Sequence, residues 1–315
     1  MSRKVTVIGA GAVGSTITYT LMNRDTISEI VLIDINKEKA VGEVLDIAQG
    51  TCFRDPIKVT AGDYEDAKDS DIVIITSGIR RKPEQTRIEI IQTNLNILKD
   101  IAASIVKVAP DALYIIVSNP VDVLTYVFTR ICGLPACQVI GSGTVLDSAR
   151  LQFKLSEHLG VAQKNIDAHV FGEHGDSAFV PWSLANVSGA RLDDYLSAMK
   201  SQGKDLEPID QQAMLDYVHK SGGSIIARKG ATNYAIAMSV CRICDMLLSD
   251  SVSLATVSTM MQGEYGLEDV CLSIPTFIGP RGVEGTLPVK LNEQEMEQLK
   301  RSAEALKAVI KEIQC

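Results

Sequence analysis

The chain has 315 residues, of which 46% are hydrophobic and 22% are charged, and its formal net charge is −8. This composition is typical of a folded globular protein and excludes a disordered or fibrous chain, and the length favours two domains over one. The acidic net charge excludes the broad basic face that non-specific binding to nucleic acid or to an anionic membrane needs.

The first half of the chain alternates short β-branched segments with helical ones. The β-branched segments lie at 5–8, 30–33, 57–60, 72–76, 114–117 and 138–140, and the helical ones at about 13–22, 37–49, 86–107 and 121–131. Several of the short segments are almost continuously apolar, which is typical of strands buried on both faces of a parallel sheet. Six such strands separated by helices predict an α/β fold with a doubly wound parallel sheet.

The pattern changes after about residue 142. A long helix is predicted at 146–158, short mixed segments follow at 167–188, and further helices are predicted at about 207–221, 224–249 and 292–313. We therefore expect two domains, 1–142 and 143–315, of which the second is of the α+β class. No low-complexity linker separates them, so they are expected to pack together with a cleft between them.

A glycine-rich turn directly follows the first predicted strand. Gly9, Gly11 and Gly14 form a G-x-G-x-x-G pattern before the first predicted helix, and Asp34 ends the next strand, 20 residues after Gly14. Such glycines allow a tight turn, close approach of a pyrophosphate to the backbone and close packing of helix on strand. An acid at the position of Asp34 accepts hydrogen bonds from ribose hydroxyls and repels a 2′-phosphate. The pattern predicts a Rossmann-type site and favours NAD over NADP.

A cluster of cations follows the fourth predicted strand. Residues 80–87 include Arg80, Arg81, Lys82 and Arg87 and only one acid, Glu84, in a chain of net charge −8. The cluster lies just beyond the carboxyl end of the strand, where open α/β sheets bind ligands. Two interpretations are open: a solvated surface loop, or a mobile lid that attracts an anionic substrate and brings an arginine onto it.

The histidine with the surroundings most typical of an acid/base residue is His174. It lies in the Gly-Glu-His-Gly-Asp segment 172–176, and Asp147 and Arg150 are three residues apart on the helix predicted at 146–158. Residues at that spacing share one helix face. A buried aspartate beside a histidine orients the ring and stabilises its protonated form, and an arginine can grip a carboxylate with two hydrogen bonds. The residues alone leave open whether these three side chains meet.

The cysteines point to a reduced protein without a metal site. Their number is seven, which is odd, and they are spread over the whole chain, unlike the dense cysteines of a secreted disulfide scaffold. Cys241 and Cys244 form a lone C-x-x-C in an apolar helical segment with no second pair of cysteines or histidines nearby. We therefore expect two core residues one helical turn apart, no metal, and a cytoplasmic location.

Taken together, these motifs resemble those of the lactate/malate dehydrogenase family, and the match covers essentially the whole chain. The segments that carry the resemblance are residues 9–14 with Asp34, residues 81–87, residues 118–122, residues 141–144 with 146–150, and residues 172–176. In this order they are highly specific. The resemblance implies a homotetramer that uses NAD and acts on a small 2-keto or 2-hydroxy acid.

The resemblance also implies roles for individual residues. It implies that His174 is the general acid/base, that Asp147 orients it, and that Arg87 polarises the reacting carbonyl as the loop closes. The residues implied to bind the substrate are Arg81, Arg87, Asn119, Asp147, Arg150 and Thr232. Those implied to bind NAD are Gly9, Gly11, Val13, Gly14, Asp34, Lys39, Tyr64, Gly78, Ile79, Val117, Ser118, Asn119 and Ser142.

The resemblance leaves the choice of substrate open. Counted back from Arg87, Arg81 occupies the position where lactate dehydrogenases carry glutamine and malate dehydrogenases carry an arginine that pairs with the second carboxylate. An arginine facing only a methyl group would be an unpaired cation in a closing site. Residues 141–144, 172–174, 181–183 and Thr232 nevertheless resemble the lactate branch, and they are more numerous. We expect an L-lactate dehydrogenase, with malate dehydrogenase as the alternative.

A non-catalytic NAD-binding protein is a more remote alternative. Such a protein needs the dinucleotide turn but has no use for His174 and Asp147 beside a carboxylate-binding arginine. Many bacterial lactate dehydrogenases also bind fructose 1,6-bisphosphate, through a cation and a histidine at positions that match Gln152 and Asp167 here. Because one position loses a positive charge and the other gains a negative one, we expect that site to be weak or absent.

Overall fold

The parallel core of the fold forms from the segments that the apolar pattern predicts. The structure is a computed structural model that describes residues 3–79 and 87–313. Its first half contains β1 (Lys4–Ile8), α1 (Ala12–Met22), β2 (Glu29–Ile33), α2 (Lys37–Gln49), β3 (Lys58–Ala61), β4 (Ile72–Ile75), α3 (Arg87–Val108), β5 (Leu113–Ile116), α4 (Val121–Ile131) and β6 (Val139–Gly141). Every predicted strand and helix of this half is present, with ends displaced by at most one residue.

These strands form one parallel sheet in the order β6-β5-β4-β1-β2-β3. Every residue of β4 and of β5 is buried, because helices cover both faces of the sheet. The chain reaches the edge at β3 and then returns past β1 to β4, so the strand order reverses between β1 and β4. The crevice at such a reversal, outside the carboxyl ends of the strands, is where doubly wound folds bind ligands.

The second half combines long helices with short antiparallel sheets, which confirms the α+β class. Its elements are α5 (Val145–Leu159), β7 (Ile166–Asp167), β8 (Asn186–Val187), β9 (Ala190–Arg191), α6 (Leu192–Ser201), α7 (Gln211–Lys229), α8 (Tyr234–Leu247), β10 (Ser253–Ala255), β11 (Ser258–Gln262), β12 (Glu268–Ser273), β13 (Thr276–Gly279), β14 (Gly282–Thr286) and α9 (Glu293–Glu312). The strand β11 pairs antiparallel with β6 through Ser258 and Gly141, and β12 follows it. The two halves therefore share one sheet.

The helix break predicted between residues 221 and 224 is wrong. The helix α7 runs without interruption through Gly222 and Gly223, and the chain instead breaks after Lys229, at Gly230. Gly230 has a φ of 82°, a left-handed conformation that glycine adopts without strain and that ends helices. Two glycines weaken a helix but do not stop it when the flanking turns pack on a neighbour, here α5.

Apolar side chains cover both faces of the main sheet and fill a separate core in the second half. Cys241 and Cys244 are fully buried in α8, one turn apart, which confirms that they are core residues. Among the helices of the described residues, none combines the length and the apolar character that crossing a membrane would require.

Candidate active site

His174, Asp147 and Arg150 form one cluster, in which Asp147 contacts both of the other side chains. The Nδ1 of His174 lies 2.5 Å from Oδ2 of Asp147, and the other oxygen of Asp147 accepts a hydrogen bond of 2.7 Å from Nη1 of Arg150. The Asp147 side chain is 6% exposed and that of Arg150 is 14% exposed, whereas that of His174 is 26% exposed. Asp147 thus joins an imidazole and a guanidinium, which leaves Nε2 of His174 free to meet a ligand.

The loop that carries His174 is fixed by the antiparallel strand next to it. Gly172 exchanges two backbone hydrogen bonds with Ser273, the last residue of β12. Gly172 has a φ of 88°, and a Cβ there would lie 2.6 Å from Oγ of Ser302 on α9, so only glycine fits. Phe171 and Phe179 then close the loop with a pair of backbone hydrogen bonds. These contacts place His174 over the N-terminal turn of α5.

The charges in this cluster favour ionised side chains. Burial disfavours the imidazolium of His174, but the charge and hydrogen bond of Asp147 outweigh burial, so the pKa of His174 is raised. Burial likewise opposes ionisation of Asp147, but the cationic partners His174 and Arg150 hold its pKa below the ordinary value. The pair therefore favours a protonated histidine beside an ionised aspartate.

A second buried carboxylate, Asp122, also contacts the histidine, and the sequence analysis gave it no role. Its Oδ2 accepts a hydrogen bond of 2.7 Å from the backbone N–H of His174. Its Oδ1 is buried, as is the nearby Oγ of Ser258. Burial raises the pKa of Asp122 to about 6. Asp122 lies in the first turn of α4, three residues after Asn119, and nothing in the sequence there indicates its contact with His174.

The glycine turn has the shape of a dinucleotide cradle. Gly9 has a φ of 111°, and a Cβ at Gly14 would lie 1.7 Å from the carbonyl oxygen of Gly9, so neither position accepts another residue. A Cβ at Gly11, by contrast, would meet nothing within 4 Å. The helix α1 begins directly after Gly11 and has no acid in its first turn. Open space before an N-terminal helix end favours an anion such as a pyrophosphate.

Asp34 lies beside this turn, at the end of β2. One of its oxygens accepts a hydrogen bond of 2.6 Å from the backbone N–H of Ala10, and the other accepts one of 2.8 Å from Asn36. The carboxylate is partly exposed and each oxygen keeps a lone pair. The position fits an acceptor for ribose hydroxyls.

The segments after β4 and β5 are tied together by a buried asparagine that the sequence analysis missed. The Oδ1 of Asn94, on α3, accepts the backbone N–H of Ile79 at 2.8 Å, and its Nδ2 donates to the backbone oxygen of Asn119 at 2.9 Å. The Oγ of Ser118 donates to the backbone oxygen of Ser77 at 2.6 Å. Gly78, Ile79 and Asn119 are thereby held at one rim, with the side chain of Asn119 exposed.

The other residues implied to bind NAD lie around the same edge of the sheet. Val117 and Ser142 are buried directly after β5 and β6. Val13 lies in the first turn of α1, Tyr64 follows β3 and is half-buried, and Lys39 is exposed on α2. Burial raises the pKa of the Tyr64 hydroxyl.

The remaining residues implied to bind the substrate are Thr232, Arg81 and Arg87. Thr232 lies in the connection between α7 and α8, where its neighbour Asn233 donates a hydrogen bond of 2.9 Å to Thr16 on α1. Arg81 and the rest of segment 80–86 lie outside the described residues. Arg87 begins α3, but its side chain also lies outside the described part.

Neither of the two positions implied for binding a sugar bisphosphate, Gln152 and Asp167, carries a cationic side chain. The Nε2 of Gln152 donates to the backbone oxygen of Ala168 at 3.1 Å. Asp167 contacts Nε2 of His169 at 2.7 Å, and that hydrogen bond lowers the pKa of Asp167. Within residues 3–79 and 87–313, no group of three acids, cysteines or histidines could hold a metal ion.

Comparison with protein-family models matches both halves of the chain. Residues 3–141 match the NAD-binding domain of lactate/malate dehydrogenase, and residues 144–314 match the α/β C-terminal domain of lactate/malate dehydrogenase. The match to the NAD-binding domain agrees with the dinucleotide cradle that the glycine turn forms.

Curated relatives and solved structures agree with this match. The chain is 46% identical to the L-lactate dehydrogenase of Acetivibrio thermocellus, covering 98% of this chain and 96% of that protein. It is 44% identical to the L-lactate dehydrogenase of Thermoanaerobacter pseudethanolicus, covering 98% and 99%. A crystal structure of the minor L-lactate dehydrogenase from Enterococcus mundtii superposes with a TM-score of 0.94 at 36% identity, covering 99% of both chains.

Proposed function

The chain belongs to the lactate/malate dehydrogenase family, and on that premise we propose that it is an NAD-dependent L-lactate dehydrogenase. The observation that carries the proposal is the array in which Asp147 joins His174 to Arg150, at 2.5 Å and 2.7 Å. An acid/base residue beside a carboxylate-binding cation fits a 2-keto or 2-hydroxy acid, which carries a carboxylate next to the reacting carbon.

The residues divide the reaction between binding and proton transfer. We assign the substrate carboxylate to the guanidinium of Arg150, of which one nitrogen is already held by Asp147. Protonated His174, held at Nδ1, then donates from Nε2 to the keto oxygen, and Asp147 stabilises the imidazolium before the transfer. Bound NADH supplies the hydride. Asn119 and Arg87 are proposed to stabilise the charge that develops on the same oxygen.

The cofactor is proposed to lie across the switch point of the sheet. Its pyrophosphate fits at Gly9, Gly11 and Gly14, and Asp34 suits the adenosine ribose. The nicotinamide end would be held at the rim by Gly78, Ile79, Val117, Ser118, Asn119 and Ser142, and Val13, Lys39 and Tyr64 would be further contacts.

Lactate rather than malate is the expected substrate, because the curated relatives at 44–46% identity are L-lactate dehydrogenases. The direct test of the reaction is to follow NADH oxidation with pyruvate and to identify the product with a lactate dehydrogenase of known stereospecificity. We expect L-lactate. NADH binding without turnover of any 2-keto acid would instead support the alternative of a non-catalytic NAD-binding protein.

Substitution of Arg87 with glutamine is expected to lower kcat for pyruvate far more than it lowers NADH affinity. Loss of a donor to a developing oxyanion costs about 10²–10³-fold in kcat, whereas the cofactor site lies along the sheet edge. Stopped-flow hydride transfer and an NADH fluorescence titration separate the two quantities. Equal losses in both would contradict the role given to Arg87.

Asp122 is expected to act as a positioning residue that also supports the charge of His174. The charged groups that act on this histidine are Asp147 and Arg150 on α5 and Asp122 on α4, and Glu173 of its own loop acts on Asp122. Ionised Asp122 raises the pKa of His174, so the Asp122→Asn variant should lose pyruvate reduction at lower pH than the wild type. The pH dependence of kcat/KM measures this shift.

The matched control for Asp122 is Asp176→Asn, which removes an exposed carboxylate two residues from His174. Solvent screens that charge, so its pH profile should follow the wild type. If both variants keep the wild-type profile, or both shift alike, Asp122 has no specific effect on His174. A lower kcat/KM in Asp122→Asn without a shift would indicate a merely structural role.

We also propose a homotetramer in the cytoplasm that fructose 1,6-bisphosphate does not activate. Gln152 is neutral, and the carboxylate of Asp167 would repel a phosphate. Addition of the sugar bisphosphate should leave kcat/KM for pyruvate unchanged. Strong activation at micromolar concentration would contradict this prediction, and light scattering of the purified protein tests the tetramer.

A further inference from the structure

Glu173 lies next to His174, and the proposed reaction gives its carboxylate no part in binding or in proton transfer. The residue is 7% exposed. Its side chain folds back along the loop, because a Cβ at Gly175 would lie 2.8 Å from its Oε1. A carboxylate is costly to bury unless hydrogen bonds compensate for the lost water. The surroundings of Glu173 must therefore supply hydrogen-bond donors.

Two serine hydroxyls join the carboxylate of Glu173 to its own backbone. The Oγ of Ser177 donates to Oε2 of Glu173 at 2.5 Å. Because the proton of Ser177 is used there, Ser302 on α9 is the donor in the contact of 3.0 Å between the two hydroxyls. The Oγ of Ser302 in turn accepts the backbone N–H of Glu173 at 2.8 Å. These three hydrogen bonds run in one direction and form a closed hydrogen-bond cycle of Glu173, Ser177 and Ser302.

Two successive peptide groups beside the proton donor are thereby held by distant parts of the chain. Ser302 binds the N–H of Glu173 across 129 positions, and Asp122 binds the N–H of His174 across 52. Ser302 is fully buried, so water cannot replace its hydroxyl as the acceptor. The imidazole of His174 must also reach Asp147 at 2.5 Å, and its place depends on where these two peptide groups lie.

We propose that Ser302 is a positioning residue for the reaction, which acts through the hydrogen-bond cycle to hold the loop so that Nε2 of His174 meets the keto oxygen. This inference rests on the proposed function, because it takes His174 as the proton donor. The cycle also accounts for the two glycines that flank Glu173 and His174. A Cβ at Gly172 would lie 2.6 Å from Oγ of Ser302, and one at Gly175 would meet the carboxylate of Glu173.

The first test is Ser302→Ala, which removes one acceptor and one donor of the cycle. Misplacement of a reacting group by about 1 Å costs up to about 10²-fold in rate, so we expect single-turnover hydride transfer to pyruvate to slow by about 10–100-fold. KM for pyruvate and NADH affinity should stay close to the wild type, because Arg150 and the glycine turn are unchanged. Ser302→Cys keeps a weaker donor and acceptor, so its rate should lie between the two.

A second test breaks the same cycle at a half-buried residue, Ser177. Ser177→Ala should also slow hydride transfer without weakening NADH binding. Because either change opens one and the same cycle, the double variant Ser177→Ala/Ser302→Ala should be no slower than the more affected single variant. Losses that multiply in the double variant would show two independent effects and would contradict the inference.

The matched control is Ser70→Ala, at the amino end of β4 and away from the site. Ser70 is 6% exposed, and its Oγ lies 2.7 Å from Oγ1 of the buried Thr6. The control should lower Tm, because it too loses a buried hydrogen bond, but its rate of hydride transfer should equal that of the wild type.

The outcomes separate the inference from the proposed function. An active wild type with an equally active Ser302→Ala variant contradicts the inference alone. So does a Ser302→Ala variant in which rate, KM and NADH affinity deteriorate together, or a Ser70→Ala variant that is just as slow, because each would mean a merely structural role. A wild type that turns over no 2-keto acid contradicts the proposed function itself.

Discussion

Replacing His174 with glutamine is expected to lower kcat for pyruvate reduction by about 10²–10⁴-fold, the usual contribution of a positioned acid/base residue. Glutamine can still donate a hydrogen bond to the keto oxygen, but it cannot release a proton. Asp147 would then lack its partner at 2.5 Å and keep only Arg150. Hydride transfer under single-turnover conditions measures the chemical step, and NADH affinity should stay close to that of the wild type.

The matched control for this variant is His219→Gln on α7, where the histidine is exposed. Its kcat should equal the wild-type value. A His174→Gln variant with more than a tenth of wild-type kcat would contradict the assignment of His174 as the proton donor. Loss of NADH binding together with kcat would instead mean that the substitution disturbs the fold.

The pH dependence of the wild type follows from the same pair. Pyruvate reduction uses protonated His174, and Asp147 raises the pKa of that histidine. Reduction should therefore persist through neutral pH and decline as the pH rises through the raised pKa. Lactate oxidation needs the neutral imidazole and should show the opposite trend, increasing over the same interval.

Replacing Arg150 with glutamine is expected to raise KM for pyruvate by about 10²–10⁴-fold, because a hydrogen bond to a charged group contributes about 1.5–3 kcal/mol and a guanidinium supplies two. The buried carboxylate of Asp147 also loses its contact at 2.7 Å and keeps only His174. Steady-state kinetics over a wide range of pyruvate concentrations separates KM from kcat.

Two further variants test the role of Arg150 in binding the substrate carboxylate. Arg150→Lys keeps the charge but not the planar pair of donors, so its KM should lie between those of the wild type and Arg150→Gln. Arg281→Gln removes an exposed arginine that pairs with Glu284 and should change nothing. A substrate that binds Arg150→Gln as tightly as the wild type would show that its carboxylate is held elsewhere.

The sequence predicts the parallel sheet well because its strands are buried on both faces. The run Ile72–Ile75 has no polar residue to mark a solvent face, and only a central strand accommodates it. The glycine turn is predicted equally well from the sequence, since the local backbone alone requires glycine at positions 9 and 14. Both signals are local, so no knowledge of the rest of the fold is needed.

The features that the sequence analysis missed depend on distant parts of the chain. Asp122 meets His174 across 52 positions, and Asn94 meets Asn119 across 25. Nothing near either residue indicates its partner. The helix break expected at Gly222 and Gly223 is wrong for the same reason, because packing of α7 on α5 supports a helix that local propensity disfavours.

We conclude that this family member is a lactate dehydrogenase, although an arginine, Arg81, occupies the position typical of the malate branch. The most direct test is kcat/KM for pyruvate and for oxaloacetate, measured side by side with NADH at matched concentrations. We expect a ratio in favour of pyruvate, which would mean that Arg81 is turned away from the substrate or neutralised. A ratio in favour of oxaloacetate would contradict this conclusion and would identify the enzyme as a malate dehydrogenase.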